Sequence, residues 1–191
     1  MKNILLGSVV ASTLLFANNS AQININNDTV EIGGEVYLNN HYNVNDSSNY
    51  YFIVNFLNTE GYDDYSSQSL ITTGFKVLNP YTDDNGISLG LGIKSVYSNE
   101  NDYLFFSTPL SAFVKYELDE RIYFDAEFSY APRVLSFSDA EEYQDLKFKA
   151  NYKVLEDGYA FIGFRNIETK YENGAEMKYD DSVFVGYEVK F

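Results

Sequence analysis

The chain has 191 residues, with 13 Lys and Arg against 28 Asp and Glu, a formal net charge of −15. Such an acidic chain repels nucleic-acid phosphates, and the absence of cysteine removes disulfide scaffolds and thiolate metal sites. With one histidine, His41, no His-rich metal centre can form, and an aromatic content of 17% is unlike that of a disordered chain.

The chain opens as an export signal. Met1, Lys2 and Asn3 form a short n-region with one positive charge, residues 4–16 are uncharged and mostly apolar, and Ala17 and Ala21 offer small residues for cleavage. The apolar run is too short to cross a bilayer as a helix, which takes about 20 residues. The expected layout is a signal peptide over 1–21, cleaved at about 17 or 21, then a single domain over 22–191.

Beyond it, hydropathy alternates with period two, the pattern of strands with two unlike faces. Weaker segments are 30–38, 50–58 and 70–78. The clearest is 87–97, where Leu89 and Leu91 share a face with Ile87 and Ile93, opposite Ser88, Gly90, Gly92 and Lys94. At 110–117, Val114 opposes Ser111, Lys115 and Glu117. At 122–130, Phe124 and Phe128 oppose Asp125 and Glu127. At 146–154, Phe148 opposes Lys147, Lys149 and Lys153, and at 159–167 Ile162 opposes Gly163 and Arg165. The last segment, 183–191, sets Val185, Tyr187, Val189 and Phe191 against Gly186, Glu188 and Lys190.

Full charges of both signs on the polar faces, and Tyr or Phe closing many apolar faces (Tyr97, Tyr116, Tyr130, Tyr152, Phe191), match the needs of a bilayer-spanning barrel. Nine segments can be read, whereas a bacterial barrel of this type has an even number; residues 22–44 holding two strands gives ten, and discounting one weak segment gives eight. Tight turns at 118–121 and 155–158 alternate with polar stretches at 59–67, 98–103, 132–142 and 170–181.

At Tyr130-Ala131-Pro132-Arg133-Val134-Leu135-Ser136-Phe137 the chain resembles the YfaZ family of Gram-negative outer-membrane proteins. The likeness continues through Tyr143-Gln144, the 151–158 turn and the run from Ile162 to Ile167, with Gly34-Glu35-Val36 near the start. The chain departs from the family in having more Tyr and Asn and fewer Gly in its first half. The resemblance implies an outer-membrane location and a small barrel. It implies no established activity, so no catalytic residue is carried over.

The expectation is therefore an all-β chain: a small antiparallel transmembrane β-barrel of 8 or 10 strands with short periplasmic turns and longer extracellular loops. It has a structural or narrow-pore role in the bacterial envelope, without catalysis, cofactor or metal. Leu89, Leu91, Val114, Phe124, Phe128, Phe148, Ile162 and Val185 are expected to face lipid. Glu127, Lys147, Lys149, Arg165 and Glu188 are expected to face the lumen as a paired network. Tyr187, Val189 and Phe191 form the terminal signal read by barrel-assembly machinery. Expected partners are that machinery, outer-membrane lipid and lipopolysaccharide. The acidic groups Asp63-Asp64, Asp83-Asp84, Glu100 with Asp102, Glu141-Glu142 and Asp180-Asp181 read as a solvated rim. Two alternatives remain: a barrel-embedded lipid hydrolase using His41 with Ser47 or Ser48, and a soluble periplasmic sandwich or barrel binding a small ligand.

Overall fold

The computed structural model describes residues 19–38, 48–60, 68–79, 86–100, 103–172 and 174–191. The described strands are β1 (Ser20–Ile25), β2 (Thr29–Tyr37), β3 (Asn49–Thr59), β4 (Gln68–Asn79), β5 (Ile87–Glu100), β6 (Tyr103–Ser107), β7 (Leu110–Glu117), β8 (Ile122–Ala131), β9 (Ser136–Ser138), β10 (Ala140–Leu155), β11 (Gly158–Tyr171) and β12 (Glu176–Lys190), with one 3-10 turn at Arg133–Leu135. Ten of these, all but β6 and β9, pair antiparallel with their neighbours into a closed ring, and β1 on β12 is the closing seam. The stretch near the start thus holds two strands, β1 and β2. Residues 1–18 of the expected signal segment and His41 lie outside the described residues, while Ser20 and Ala21, the end of that segment, belong to β1.

Alternation sets the faces. Along β5, Leu89, Leu91 and Ile93 point outward and are exposed, Leu91 at 68%, while Lys94 points inward and is 2% exposed. Register carries this pattern across strands: Val114 faces Ala126, Ala126 faces Phe148, Phe148 faces Phe164 and Phe164 faces Val183, a continuous outward apolar row. Exposed tyrosines border this band, with Tyr116 and Tyr152 toward the end bearing the chain termini and Tyr97 and Tyr130 toward the other. Hydrophobic burial cannot explain such an exterior in water, where large contiguous apolar patches are avoided.

Short polar side chains make the tight connections. Asp119 Oδ1 accepts from the backbone N–H groups of Arg121 and Ile122, both at 2.7 Å, and turns β7 into β8. Asn26 Oδ1 does the same for Asp28 and Thr29, at 2.8 and 2.6 Å, between β1 and β2. Pro109, fully buried and without an N–H to donate, separates β6 from β7. Beyond this break β6 pairs with β9 and heightens the wall. Consequently the expected loops at 132–142 and 170–181 are largely ordered. The first holds the 3-10 turn, β9 and the start of β10, and the second is mostly β11 and β12. On the extensions of β10, β11 and β12 the outward residues are polar, among them Gln144, Lys170 and Lys178, so the alternation that reveals strands is lost there, whereas β6 keeps it with Leu104 and Phe106 exposed and Phe105 and Ser107 buried.

Two inward glycines are required by close approach. A Cβ on Gly163 would come within 2.5 Å of the Phe184 ring, and one on Gly186 within 2.3 Å of the Phe161 ring. Those rings meet edge-to-face at 6.1 Å, so each glycine accommodates a neighbour's aromatic side chain. Placing a charge on the outward band should reveal what surrounds it. Leu91→Arg is expected to cost about 2–4 kcal/mol in a bilayer near its midplane, and Ser88→Arg much less, as read by urea unfolding in lipid vesicles. Equal costs would refute the assignment of faces.

Candidate functional site

Inside the ring, three layers follow one another along β10 and β11. The first, at the end away from the termini, is apolar and aromatic: Leu57, Leu70, Val96, Phe105, Tyr143, Ile167, Tyr171 and Tyr179 form one buried cluster. Phe105, from the β6 extension, stacks on Tyr143 at 5.5 Å and lies 6.3 Å from Tyr179. The strands that rise beyond the outer band thus fill the lumen at that end.

Below this cluster lies an ion-pair layer centred on Arg165, which is 0% exposed. Its Nε donates to Asp180 Oδ2 at 2.8 Å and its Nη2 to Thr29 Oγ1 at 3.0 Å. Arg165 also pairs directly with Glu31 and Asp180 through Nη1 and Nη2. Lys147 reaches the same Glu31 at 3.1 Å. Asn24 donates to Glu31 at 3.3 Å and accepts from Arg165 at 3.2 Å. Beneath the guanidinium lies the Phe184 ring, 5.0 Å away. Lys94 makes a second cluster, paired with Glu127 and 3.8 Å from Asp145. Burying charges costs several kcal/mol per ion unless their hydrogen bonds are completed. Arginine suits this position because its planar fork can serve two carboxylates at once.

Asp180 reaches this layer through a bulge. The β11–β12 register shifts between Ile167, opposite Asp180, and Glu168, opposite Lys178. Tyr179 and Asp180 therefore both turn inward, and both are buried. The reading of Asp180-Asp181 as a solvated pair is thus corrected: Asp181 is exposed beside Lys178 at 2.9 Å, while Asp180 anchors Arg165. Not every polar atom is matched. Tyr143 Oη, Asp145 Oδ1 and Thr169 Oγ1 are buried on neighbouring inward positions of β10 and β11 with no hydrogen-bond partner among the described residues, a pattern that calls for ordered water.

The third layer is a chamber of about 450 Å³ at the end bearing the tight turns and termini, with Asp157 and Phe191 among its walls. Lys149 lies 3.7 Å from Asp125. Glu188 accepts from Tyr123 Oη at 2.5 Å and lies 3.9 Å from Lys190.

The structure places Glu127, Lys147, Lys149, Arg165 and Glu188 inside the ring. Leu89, Leu91, Val114, Phe124, Phe128, Phe148, Ile162 and Val185 are exposed on its exterior. Of the residues that complete the network, Lys94 is readable from alternation as a polar-face residue of 87–97, whereas Glu31 and Asp180 carry no such signal. Of the acidic loops, 61–67 and 80–85 lie outside the described residues, as do Asp102 and Ser47. Among the described residues no group of three His, Cys, Asp or Glu side chains is arranged to hold a metal.

Comparison with solved structures finds the same architecture in the NanC porin, with a TM-score of 0.50 at 10% identity, covering 92% of this chain and 100% of that one. A second similar structure is the outer-membrane channel DcaP of Acinetobacter baumannii, with a TM-score of 0.43 at 11% identity, covering 90% of this chain and 62% of that one. No curated protein matches the sequence. A family model described as YfaZ precursor matches residues 3–191, nearly the whole chain. A closed antiparallel barrel with an apolar exterior and a charged interior is the fold of this chain, and the chain belongs to the YfaZ family.

Proposed function

We propose that the protein is a structural barrel of the bacterial outer membrane whose lumen is closed at rest. One observation carries this reading: Arg165, wholly buried, ties β11 to β1, β2 and β12 across the interior, through Asn24, Thr29, Glu31 and Asp180. With the Phe105–Tyr143–Tyr179 cluster above it, this layer supports a plugged barrel. The outward apolar band and its bordering tyrosines support acyl chains and lipopolysaccharide as the surroundings. The terminal Tyr187, Val189 and Phe191 are suited to recognition by barrel-assembly machinery. Export begins with the N-terminal signal, and cleavage after Ala17 keeps β1 whole, whereas cleavage after Ala21 would remove Ser20 and Ala21, which pair with Lys190 and Val189.

A narrow pore is the competing reading. It draws on the unpartnered buried polar atoms of Tyr143, Asp145 and Thr169, which call for water inside the plug. Planar-bilayer recording separates the two. The wild type is expected to insert without steady current, and Arg165→Ala to lose about 3–5 kcal/mol of stability by leaving buried carboxylates short of a partner, with current appearing. Steady ohmic current in the wild type would overturn the closed lumen. Catalysis has no part in this reading. A purified barrel that hydrolyses phospholipid, and loses that activity on His41→Ala, would overturn that point. For the processing site, N-terminal sequencing of the membrane-extracted protein is expected to read Asn18 first; a start at Gln22 would refute it.

A further inference from the structure

We propose that the outward face of β6 and β9, at the end of the barrel away from the chain termini, is a docking surface for the acyl chains of membrane lipid. It carries the apolar exterior past the tyrosine border on one flank only. This surface extends the membrane-embedded band proposed above, and rests on that reading.

Register sets the two flanks apart. The ladder row from Ile93 through Leu110 and Tyr130 turns polar at Gln144 and Glu168, on β10 and β11. Further along β5, the row from Tyr97 to Phe106 to Phe137 stays aromatic. Leu104, opposite Asn99, continues the apolar face by two residues, about 7 Å at the rise of a strand. The Phe106 and Phe137 rings lie 5.7 Å apart and form one surface. Leu104, Phe106 and Phe137 are 37–47% exposed, as Val114 and Phe128 are on the band itself, at 42% and 43%. On the β10–β12 flank the outward positions of the extensions include Gln144, Lys170 and Lys178.

Plugging the lumen does not require this surface. Phe105 fills the interior, while its neighbours Leu104 and Phe106 lie on the opposite face of β6. Backbone pairing of β6 with β9 makes no demand on outward side chains, so the residues chosen there report the medium. In water they would be polar, as they are on β10 to β12, because contiguous exposed apolar patches are avoided. Continuity names the medium. Phe106 stands opposite Tyr97, the border residue of the band, so the surface prolongs the band and takes the same occupant. At its far edge Asp139 accepts from the Leu104 N–H at 3.0 Å, and charge returns at the crest. A bilayer meets a taller apolar flank by thickening locally or by tilt of the protein, at modest cost.

The chain contains no tryptophan, so a single introduced one reports its own surroundings. The test refolds the full mature chain into phosphatidylcholine vesicles whose acyl chains carry bromine, a contact quencher of indole emission, with unbrominated vesicles as reference. Phe137→Trp is expected to lose as large a share of its emission as Leu91→Trp on the band, and Gln144→Trp to keep its emission. Phe106→Trp repeats the reading on β6, and heat-modifiable gel migration confirms that each variant is folded. Unquenched emission from Phe137→Trp and Phe106→Trp, beside a quenched Leu91→Trp, overturns the proposal and leaves the membrane-embedded band standing. If that unquenched emission is blue-shifted and cross-linking yields a dimer, the surface belongs to a second copy of the chain, which equally overturns it. Quenching of Gln144→Trp to the same extent would place hydrocarbon at this height all round the ring and refute a one-sided surface. An unquenched Leu91→Trp refutes the band, and the surface with it.

Discussion

The contact on which the rest depends is the seam between β1 and β12. A sheet in an apolar medium cannot leave edge N–H and C=O groups unpaired, since each costs several kcal/mol. Here the seam runs from Ser20 opposite Lys190 to Ile25 opposite Val185. Beyond it, the Asn19 N–H donates to the Phe191 carbonyl at 2.8 Å and the Phe191 N–H returns a bond to Asn19 at 3.0 Å. The seam thus runs to the last residue of the chain. Once the ring closes, each strand has one face in and one face out, and the period-two pattern acquires its meaning.

Closure also decides where charge can go. Lys94, Lys147 and Arg165 sit in the interior against Glu31, Glu127, Asp145 and Asp180. Three cations there meet four carboxylates, so this layer carries a formal charge of −1 and most of the chain's −15 lies outside it. A ten-stranded ring is narrow enough for side chains from opposite walls to meet. That is why Lys147, on β10, can bond to Glu31, on β2, across 116 residues of sequence.

Legibility from sequence follows the same physics. The outward face was readable at Leu89, Leu91, Val114 and Phe148 because each strand's environment changes at every residue, and this leaves a local signature. Arg165 could be read as a polar-face residue; its partners could not, because pairing across a lumen depends on the ring's register, which no single strand encodes. Asp180 was the hardest. Alternation assigns neighbours Tyr179 and Asp180 to opposite faces, and only the bulge opposite Ile167 and Glu168 turns both inward. The first strand hid for another reason, since Ser20 to Ile25 follows directly on a segment that reads as an export signal, and its six residues offer little periodicity. Phe184, on the inward face of β12, is the surface beneath the Arg165 guanidinium.

The two ends of the lumen solve the buried-charge problem in opposite ways. Toward the strand extensions, the bulge and the Pro109 break bring extra side chains inward, and Arg165 is fully buried among them. Toward the turns, strands end soon after the apolar band, so no additional residues are available to fill the ring. Glycines enlarge the interior there as well: Gly186 yields its place to Phe161, on which Lys149 rests. Ammonium groups supported by rings and carboxylates held by Tyr123 and Asn151 can stay hydrated without collapsing onto one another. The same barrel wall therefore carries, two residues apart along β10, Lys147 closed onto Glu31 and Lys149 standing 3.7 Å from Asp125. That step in pairing divides the part of the lumen closed by side chains from the part that keeps an open volume.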